Sequence, residues 1–195
     1  MTCRLSMEWV DQRTLKTSKR LNELDKLLLR FVRILEKYFE YVVTSGYVAI
    51  LFGRARATED IDILVKDVDE EKFEEFWKEV TKHFWCLNAE TPDVALKLLR
   101  EDSIRFAMKG EIIPNIELKA CRNVVDFLTI SERIKVVFKN NQYIFIPPLE
   151  MQIVYKEEVL KSEKDLEDAL HLREVFKEKI DEKKLEEYRK AVKSG

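Results

Sequence analysis

Residues 56–65 read Arg-Ala-Thr-Glu-Asp-Ile-Asp-Ile-Leu-Val, and this stretch decides how the rest of the chain is interpreted. Polar and apolar residues alternate at first, and the stretch then becomes wholly apolar, which predicts a strand over 60–65 that enters a core. Because alternate side chains of a strand share a face, Asp60 and Asp62 leave it together, about 6–7 Å apart. Carboxylates this close repel each other unless a cation lies between them. Magnesium is a hard cation that accepts such ligands.

The segment before this strand predicts an anion site. The β-branched run 41–44 predicts a strand that stops at Ser45 and Gly46, and the apolar residues 47–52 predict a short helix directly after it. A strand that runs into a helix leaves backbone N–H groups unpaired at the bend, and such groups attract anions. Ser45 and Gly46 are therefore candidate ligands of a phosphate group.

A third carboxylate, Glu117, lies between Ile116 and Leu118 in a predicted strand. A carboxylate flanked by core residues is costly unless it has a partner. A metal shared with Asp60 and Asp62 is one such partner, and an arginine at the edge of the core is the other. The sequence leaves both open.

The remaining pattern predicts an α/β head followed by a helical tail, with a frayed arm of about fourteen residues and a long amphipathic helix before the head. Helices are predicted over 15–39, 69–84, 93–99, 149–160, 162–176 and 181–192, and further strands over 104–108, 113–119, 133–138 and 143–146. The prolines at 147 and 148 mark a boundary. We therefore divide the chain into an N-terminal arm and helix (1–40), an α/β head (41–147) and a helical tail (148–195).

Composition excludes several classes of protein. The 195 residues carry 35 Lys or Arg and 37 Asp or Glu, a balance unlike that of a DNA-coating protein. Three cysteines without a C-x-x-C pair exclude a zinc cluster and a disulfide framework. No apolar run approaches the roughly 20 residues of a membrane span. We expect a cytoplasmic protein without membrane contact, and the excess of Lys and Glu over Gln favours a thermophilic source.

Taken in order, these motifs resemble the nucleotidyltransferase fold of the DNA polymerase β superfamily, and within it the minimal branch of AbiEii-like abortive-infection toxins. The resemblance covers about residues 40–172. It is carried by Gly46, by Arg56, Thr58, Asp60 and Asp62, by Ile-Glu-Leu at 116–118, and by a tail motif of Lys156, Ser162, Lys164, Asp165 and Asp168. One position departs from the pattern, because the family usually has Gly-Gly or Gly-Ser where this chain has Ser45-Gly46.

The resemblance implies a mixed β-sheet head flanked by helices, with a C-terminal helical tail. It also implies Mg²⁺- or Mn²⁺-dependent transfer of NMP from an NTP to an RNA, such as tRNA, or to a protein, as the toxin of a toxin–antitoxin pair with a cognate antitoxin as partner. The implied metal ligands are Asp60, Asp62 and Glu117. The implied nucleotide-binding residues are Ser45, Gly46, Arg56, Thr58, Lys156 and Lys164, and Asp165 would orient or deprotonate the acceptor hydroxyl.

Other interpretations remain open. A degenerate member of the family would bind nucleotide or RNA, or act as a scaffold, without catalysis. An unrelated α/β domain would place Asp60 and Asp62 far from Ser45 and Gly46. For Lys156 and Lys164 a solvated helix face is the default. The enzymatic hypothesis requires the two carboxylates to converge on the bend, with room for an ion and no lysine or arginine between them.

Overall fold

The computed structural model describes residues 6–194 as strands and helices around one continuous core. The strands are β1 (Met7–Asp11), β2 (Thr14–Thr17), β3 (Tyr41–Val43), β4 (Asp60–Val65), β5 (Phe84–Cys86), β6 (Ser103–Met108), β7 (Asn115–Ala120), β8 (Ile134–Phe138) and β9 (Tyr143–Ile146). The helices are α1 (Glu23–Leu35), α2 (Gly46–Leu51), α3 (Glu70–Val80), α4 (Pro92–Glu101), α5 (Val124–Ser131), α6 (Leu149–Tyr155), α7 (Glu163–Val175) and α8 (Glu182–Ser194).

The larger sheet has the strand order β3-β4-β7-β6-β5. Strands β4 and β7 are parallel, and the other neighbours are antiparallel. Alternate residues of the two parallel strands are fully buried in the core, namely Ile61, Ile63, Val65, Ile116 and Leu118. Their other residues, which include Asp62 and Glu117, therefore lie on the opposite face of the sheet.

The smaller sheet has the order β1-β2-β8-β9, in which β2 and β8 are parallel and Leu15 lies beside Val136. The predicted mixed α/β class with a C-terminal helical tail is confirmed, since both sheets are mixed and α6, α7 and α8 close the chain. The core runs from Leu15 to Tyr188 and so includes residues of all three predicted segments. The division at 40 and 147 itself stays a prediction.

Two predictions for the N-terminal region are wrong. Residues 7–11 are not a frayed arm but strand β1, and residues 1–5 of that predicted arm lie outside the described part. The long helix over 15–39 is also wrong at its start, because Thr14–Thr17 is a strand. Helix α1 begins only after Asn22, whose side chain accepts the Asp25 N–H at 2.9 Å in a capping box. That cap fixes the start of the helix.

Three further differences from the sequence prediction concern two helix ends and one additional helix. The predicted helix 69–84 ends at Val80, and Phe84 begins β5. Helix α5 was not predicted, although Asn123 caps it by accepting the Asp126 N–H at 2.9 Å. The predicted helix 149–160 ends as an α-helix at Tyr155 and continues as one π-helical turn, Lys156–Leu160. Over residues 6–194, no helix combines the length and apolar character needed to cross a bilayer.

Candidate functional site

The face of the larger sheet that points away from the core carries rows of polar side chains. Because β4 and β7 run parallel, Asp60 lies beside Asn115 and Asp62 lies beside Glu117. On the next strand, Arg105 lies beside Glu117. The alternation of each strand thus places the three predicted carboxylates on one face.

The ammonium group of Lys119 joins two of these carboxylates. Its Nζ lies 2.7 Å from Oδ1 of Asp62 and 2.9 Å from Oε2 of Glu117. The other oxygen of Glu117 accepts hydrogen bonds from Ser103 at 2.9 Å and from Arg105 at 3.1 Å. Glu117 therefore has the arginine partner that the sequence left open, and a lysine as well.

The surroundings of Asp62 and Glu117 shift the pKa values of these two carboxyl groups in opposite directions. Burial raises the pKa of Asp62, and the charge of Lys119 offsets only part of that rise. Burial also acts to raise the pKa of Glu117, but hydrogen bonds from Lys119, Asp62 and Ser103 outweigh it and lower the pKa to about 2. Glu117 is therefore the more acidic of the two carboxyl groups.

The donor atoms on this face suit a hard divalent cation, but they are not arranged as a formed metal site. Oxygen ligands of the kind that Mg²⁺ prefers come from Asp60, Asp62 and Glu117, and Asn115 adds a buried side-chain Oδ1 with no hydrogen-bond partner. Within residues 6–194, however, no group of three or more His, Cys, Asp or Glu side chains is placed to hold a metal ion. The requirement that no lysine lie between the carboxylates is not met, since Lys119 contacts two of them. An ion would have to displace Lys119, whose side chain is 42% exposed.

Asp60 is held in place by Thr58. The Thr58 hydroxyl lies 3.1 Å from Oδ1 of Asp60 and donates to the Asp60 carbonyl at 2.9 Å. Asp60 itself is exposed at the end of the strand. Thr58 thus orients a candidate ligand, and its predicted contact with a nucleotide stays a prediction.

The bend at Ser45 and Gly46 lies next to Asp62. The Thr44 N–H donates to the Asp62 carbonyl at 2.9 Å, and Ser45 follows with a φ of 61° before the six-residue helix α2. Gln152 of the tail donates to the Ser45 carbonyl at 3.0 Å. Ser45 and Asp62 are therefore neighbours, and the large separation that the alternative of an unrelated domain predicts is not found for this pair.

Gly46 makes room for Arg56. A Cβ at Gly46 would lie 2.9 Å from Nη2 and 3.0 Å from Cζ of Arg56. Arg56 in turn donates to Oδ2 of Asp168 at 2.7 Å. The observed contact at this glycine is therefore a guanidinium group of the same chain, and the predicted contact with phosphate stays a prediction.

The tail motif forms a buried ionic cluster that reaches back to the head. Lys156 and Asp168 are both fully buried and 2.8 Å apart, and Lys156 also donates to Asp165 at 2.8 Å. Arg54 and Arg56 both pair with Asp168. The default interpretation of Lys156 as a solvated residue is wrong, because its ammonium group is buried between the carboxylates of Asp165 and Asp168. Lys164 is exposed, and only its backbone carbonyl joins the cluster, by accepting from Arg54 at 2.9 Å.

Asp165 stays ionised in this cluster. Burial acts to raise its pKa, but hydrogen bonds from Lys156 and Ser162 outweigh burial and lower it. The Ser162 hydroxyl also caps α7 by accepting the Asp165 N–H at 3.2 Å. The lowered pKa makes this carboxylate a hydrogen-bond acceptor near neutral pH rather than a base matched to that pH.

A cavity of about 160 Å³ connects the polar face of the sheet with the tail. Ser45, Asp62 and Lys119 line it from the head, and Gln152 and Tyr155 line it from α6. Its other walls are formed largely by apolar residues of β4, α5 and the tail, among them Ile63, Leu64, Val125, Met151 and Leu160. The structure thus brings Ser45 and Asp62 together at one cavity, and Lys119 links Glu117 to them. A second group, the ionic cluster beside Gly46, contains Arg56, Lys156 and Asp165.

The sequence analysis missed four polar residues of this region: Ser103, Asn115, Lys119 and Gln152. A signal existed for two of them. Asn115 and Lys119 stand two residues before and after Glu117, so the alternation of a strand already places them on its face. Ser103 and Gln152 come from other elements and are brought in by strand pairing and by the packing of α6.

No protein-family model matches the chain, and no curated protein sequence matches it. Among solved structures, the fold is similar to that of an antigenic nucleotidyltransferase-like protein from Paracoccidioides brasiliensis, with a TM-score of 0.48 and 14% sequence identity over 85% of this chain and 91% of that one. A likeness of this degree assigns no role to any residue.

Proposed function

We propose that the chain is a nucleotidyltransferase that transfers NMP from an NTP to a hydroxyl group of an RNA, such as tRNA, or of a protein. The hydroxyl oxygen bonds to the α-phosphate, the bond between the α- and β-phosphates breaks, and pyrophosphate and the hydroxyl proton are released. One observation carries the proposal: Asp62 and Glu117 lie side by side on parallel strands, with Asp60 on the same face, beside a cavity that the Ser45 bend also lines. A role as the toxin of a toxin–antitoxin pair, and the existence of an antitoxin, are part of the same proposal.

The chain's own residues supply positioning and charge. Asp60, Asp62 and Glu117 would hold Mg²⁺ or Mn²⁺, which when bound supplies electrostatic stabilisation of the phosphate oxygens. Lys119 faces the same cavity, and once released from Asp62 its ammonium group is free to neutralise a phosphate. Asp165, ionised by its contacts, accepts a hydrogen bond from the acceptor hydroxyl and so orients it. Phosphoryl transfer of this kind depends mainly on positioning and electrostatics.

A transfer assay tests this proposal. Purified chain is incubated with each α-labelled NTP, Mg²⁺ or Mn²⁺, and either total RNA or lysate protein. We expect label on one macromolecule with the wild type, and none with Asp60→Asn/Asp62→Asn. Asp67→Asn is the matched control, because Asp67 follows the same strand and its φ of 53° suits asparagine. Absence of transfer with every NTP and both metals contradicts the proposal.

A second candidate function is favoured by Lys119. A side chain that already neutralises Asp62 and Glu117 suits a protein that binds nucleotide without a metal and without turnover. Calorimetry separates the two functions. The enzyme should bind NTP more tightly with Mg²⁺ present, whereas the binder should show the same affinity with Mg²⁺ and with EDTA and should leave the NTP intact.

A further inference from the structure

The exposed face of α1 carries a row of basic side chains that the candidate site does not use. Lys26, Arg30 and Arg33 follow one another at intervals of four and three residues on the helix, and Lys37 continues the row just after it. Residues at these intervals lie above one another on one helix face. All four are exposed. We call this row the α1 basic stripe.

The two arginines in the middle of the α1 basic stripe form no ion pair. Lys26 pairs with Glu23, and Lys37 pairs with Glu79. Among residues 6–194, Arg30 and Arg33 have neither a salt bridge nor a side-chain hydrogen bond to a carboxylate. Of the four basic residues of the stripe, two are therefore paired with carboxylates and two are not.

The stripe borders a groove of about 580 Å³ whose floor is apolar. All four basic residues line this groove together with His83, and Leu29, Ile34, Phe84 and Met108 form its apolar part. Glu79 is the one carboxylate among the lining residues, and it already accepts hydrogen bonds from Lys37 and from Tyr38. The groove therefore presents positive charge along one wall.

From these observations we propose that the α1 basic stripe binds the phosphate backbone of an RNA. The proposal stands on the charges of the stripe and not on the proposed function. From Lys26 to Lys37 the stripe extends about 16 Å at 1.5 Å per residue. That is the length of about five stacked nucleotides at about 3.4 Å each. Arginine guanidinium groups bind phosphate oxygens through two parallel hydrogen bonds, and the two unpaired arginines are spaced to contact successive phosphates of such a backbone.

The chain also offers an internal comparison. Lys97 and Arg100 on α4 have the three-residue spacing of Arg30 and Arg33 and are likewise exposed. The hollow that these two residues line contains three carboxylates, Glu70, Asp93 and Glu101, whereas the groove beside the α1 basic stripe contains one, Glu79. A surface that binds RNA only through the protein's overall charge would use both pairs equally.

The test is fluorescence anisotropy with a labelled RNA hairpin, at KCl concentrations from about 50 to about 200 mM. We expect salt-dependent binding by the wild type. Arg30→Glu/Arg33→Glu should weaken it at least about tenfold and make the slope of log affinity against log salt shallower by about two, one for each lost phosphate contact. Lys97→Glu/Arg100→Glu changes the net charge by the same amount and should leave affinity within about twofold.

Three results would overturn the proposal: no binding by the wild type at the lowest salt, an equal loss in both variants, or equal binding of an acidic poly-glutamate peptide at the stripe. Circular dichroism confirms that each variant is folded. Asp60→Asn/Asp62→Asn should bind the hairpin as the wild type does. Failure of nucleotidyl transfer with binding intact therefore refutes the proposed function and not the stripe.

Discussion

The ammonium group of Lys119 lies 2.7 Å from the carboxylate of Asp62, and the same nitrogen lies 2.9 Å from Glu117 on the neighbouring strand. A positive charge of the protein itself thus sits where the proposed function requires a metal ion. Asp62 and Glu117 are largely buried, with side chains 16% and 11% exposed, so their charges depend on this partner. The relation between Lys119 and any divalent cation is therefore one of competition.

Replacing Lys119 should expose that competition. Lys119→Met leaves Asp62 without its cation and leaves Glu117 with Arg105 alone. It should cost about 1–3 kcal/mol of unfolding free energy in EDTA, because largely buried carboxylates lose a partner. Millimolar Mn²⁺ should restore most of this loss, since an ion that binds only the folded state stabilises it. Urea unfolding with and without Mn²⁺ measures both effects. Lys66→Met, at a surface pair with Asp67, is the control, and an Mn²⁺ response equal to that of the control would contradict the prediction.

The two lysines of the tail motif should behave differently. Lys156 is fully buried against Asp165 and Asp168, so Lys156→Met leaves buried carboxylates short of a partner and should lower the unfolding free energy by about 3–5 kcal/mol. Lys164→Met removes an exposed side chain without an ion pair among the described residues and should change it by less than about 0.5 kcal/mol. Denaturant titration of both variants measures the two changes in unfolding free energy. A loss for Lys156→Met as small as that for Lys164→Met would mean that the buried cluster does not stabilise the fold.

Gly46→Ala should act through Arg56. The added methyl group would lie 2.9 Å from the guanidinium group, which must then shift and loosen its bond to Asp168. We expect a loss of about 1–2 kcal/mol, as for other overpacked sites. The double-mutant cycle with Arg56→Ala is the check, because the cost of Gly46→Ala should largely vanish once Arg56 is gone. A cost that persists unchanged would place the constraint in the backbone of the bend.

Glu157 should contribute stability that acid removes. Burial acts to raise its pKa, but hydrogen bonds and charge from Arg173 and Arg189 lower it below its ordinary value of 4.5. A depressed pKa in the folded state means that the stabilisation is complete above the unfolded-state pKa, and that it is lost as pH falls from about 4.5 through the folded-state pKa. Glu157→Gln should therefore cost about 1 kcal/mol at neutral pH and almost nothing in strong acid.

Chemical denaturation at a series of pH values tests this, with Glu174→Gln as the control on an exposed helix face. The two variants should differ at pH 7 and converge below the folded-state pKa of Glu157. A difference between them that is independent of pH would assign the contribution of Glu157 to packing instead of charge.

Local sequence patterns predicted the centre of the larger sheet. The alternation in residues 60–65 gave β4 at its observed bounds, and the apolar run around Glu117 gave most of β7. The shared face of Asp60 and Asp62 follows from the same period. These predictions succeed because a strand's side-chain period is a local property, which pairing with β7 and β3 does not alter.

Contacts between segments far apart in the chain could not be predicted from local sequence patterns. Nothing near Thr14 indicates that it pairs with β8, so the apolar residues after it were assigned to a helix. The burial of Lys156 depends on α7 folding back over the π-helical turn, and a charged helix gives no local sign of this. The alternation of β7 already places Lys119 on the same face as Glu117, but its contact with Asp62 requires the parallel pairing of β4 and β7. Whether these residues act in catalysis stays a prediction.

The parallel contact between β2 and β8 has a consequence for biosynthesis. Thr14 lies beside Lys135, so β1 and β2 have only each other as partners until β8 has been translated. A two-stranded hairpin alone is marginally stable in water. Every strand of the larger sheet precedes β8 in the chain, so that sheet can assemble first. During translation β1 and β2 should therefore become stable after the larger sheet, when β8 joins them, and before the tail helices emerge.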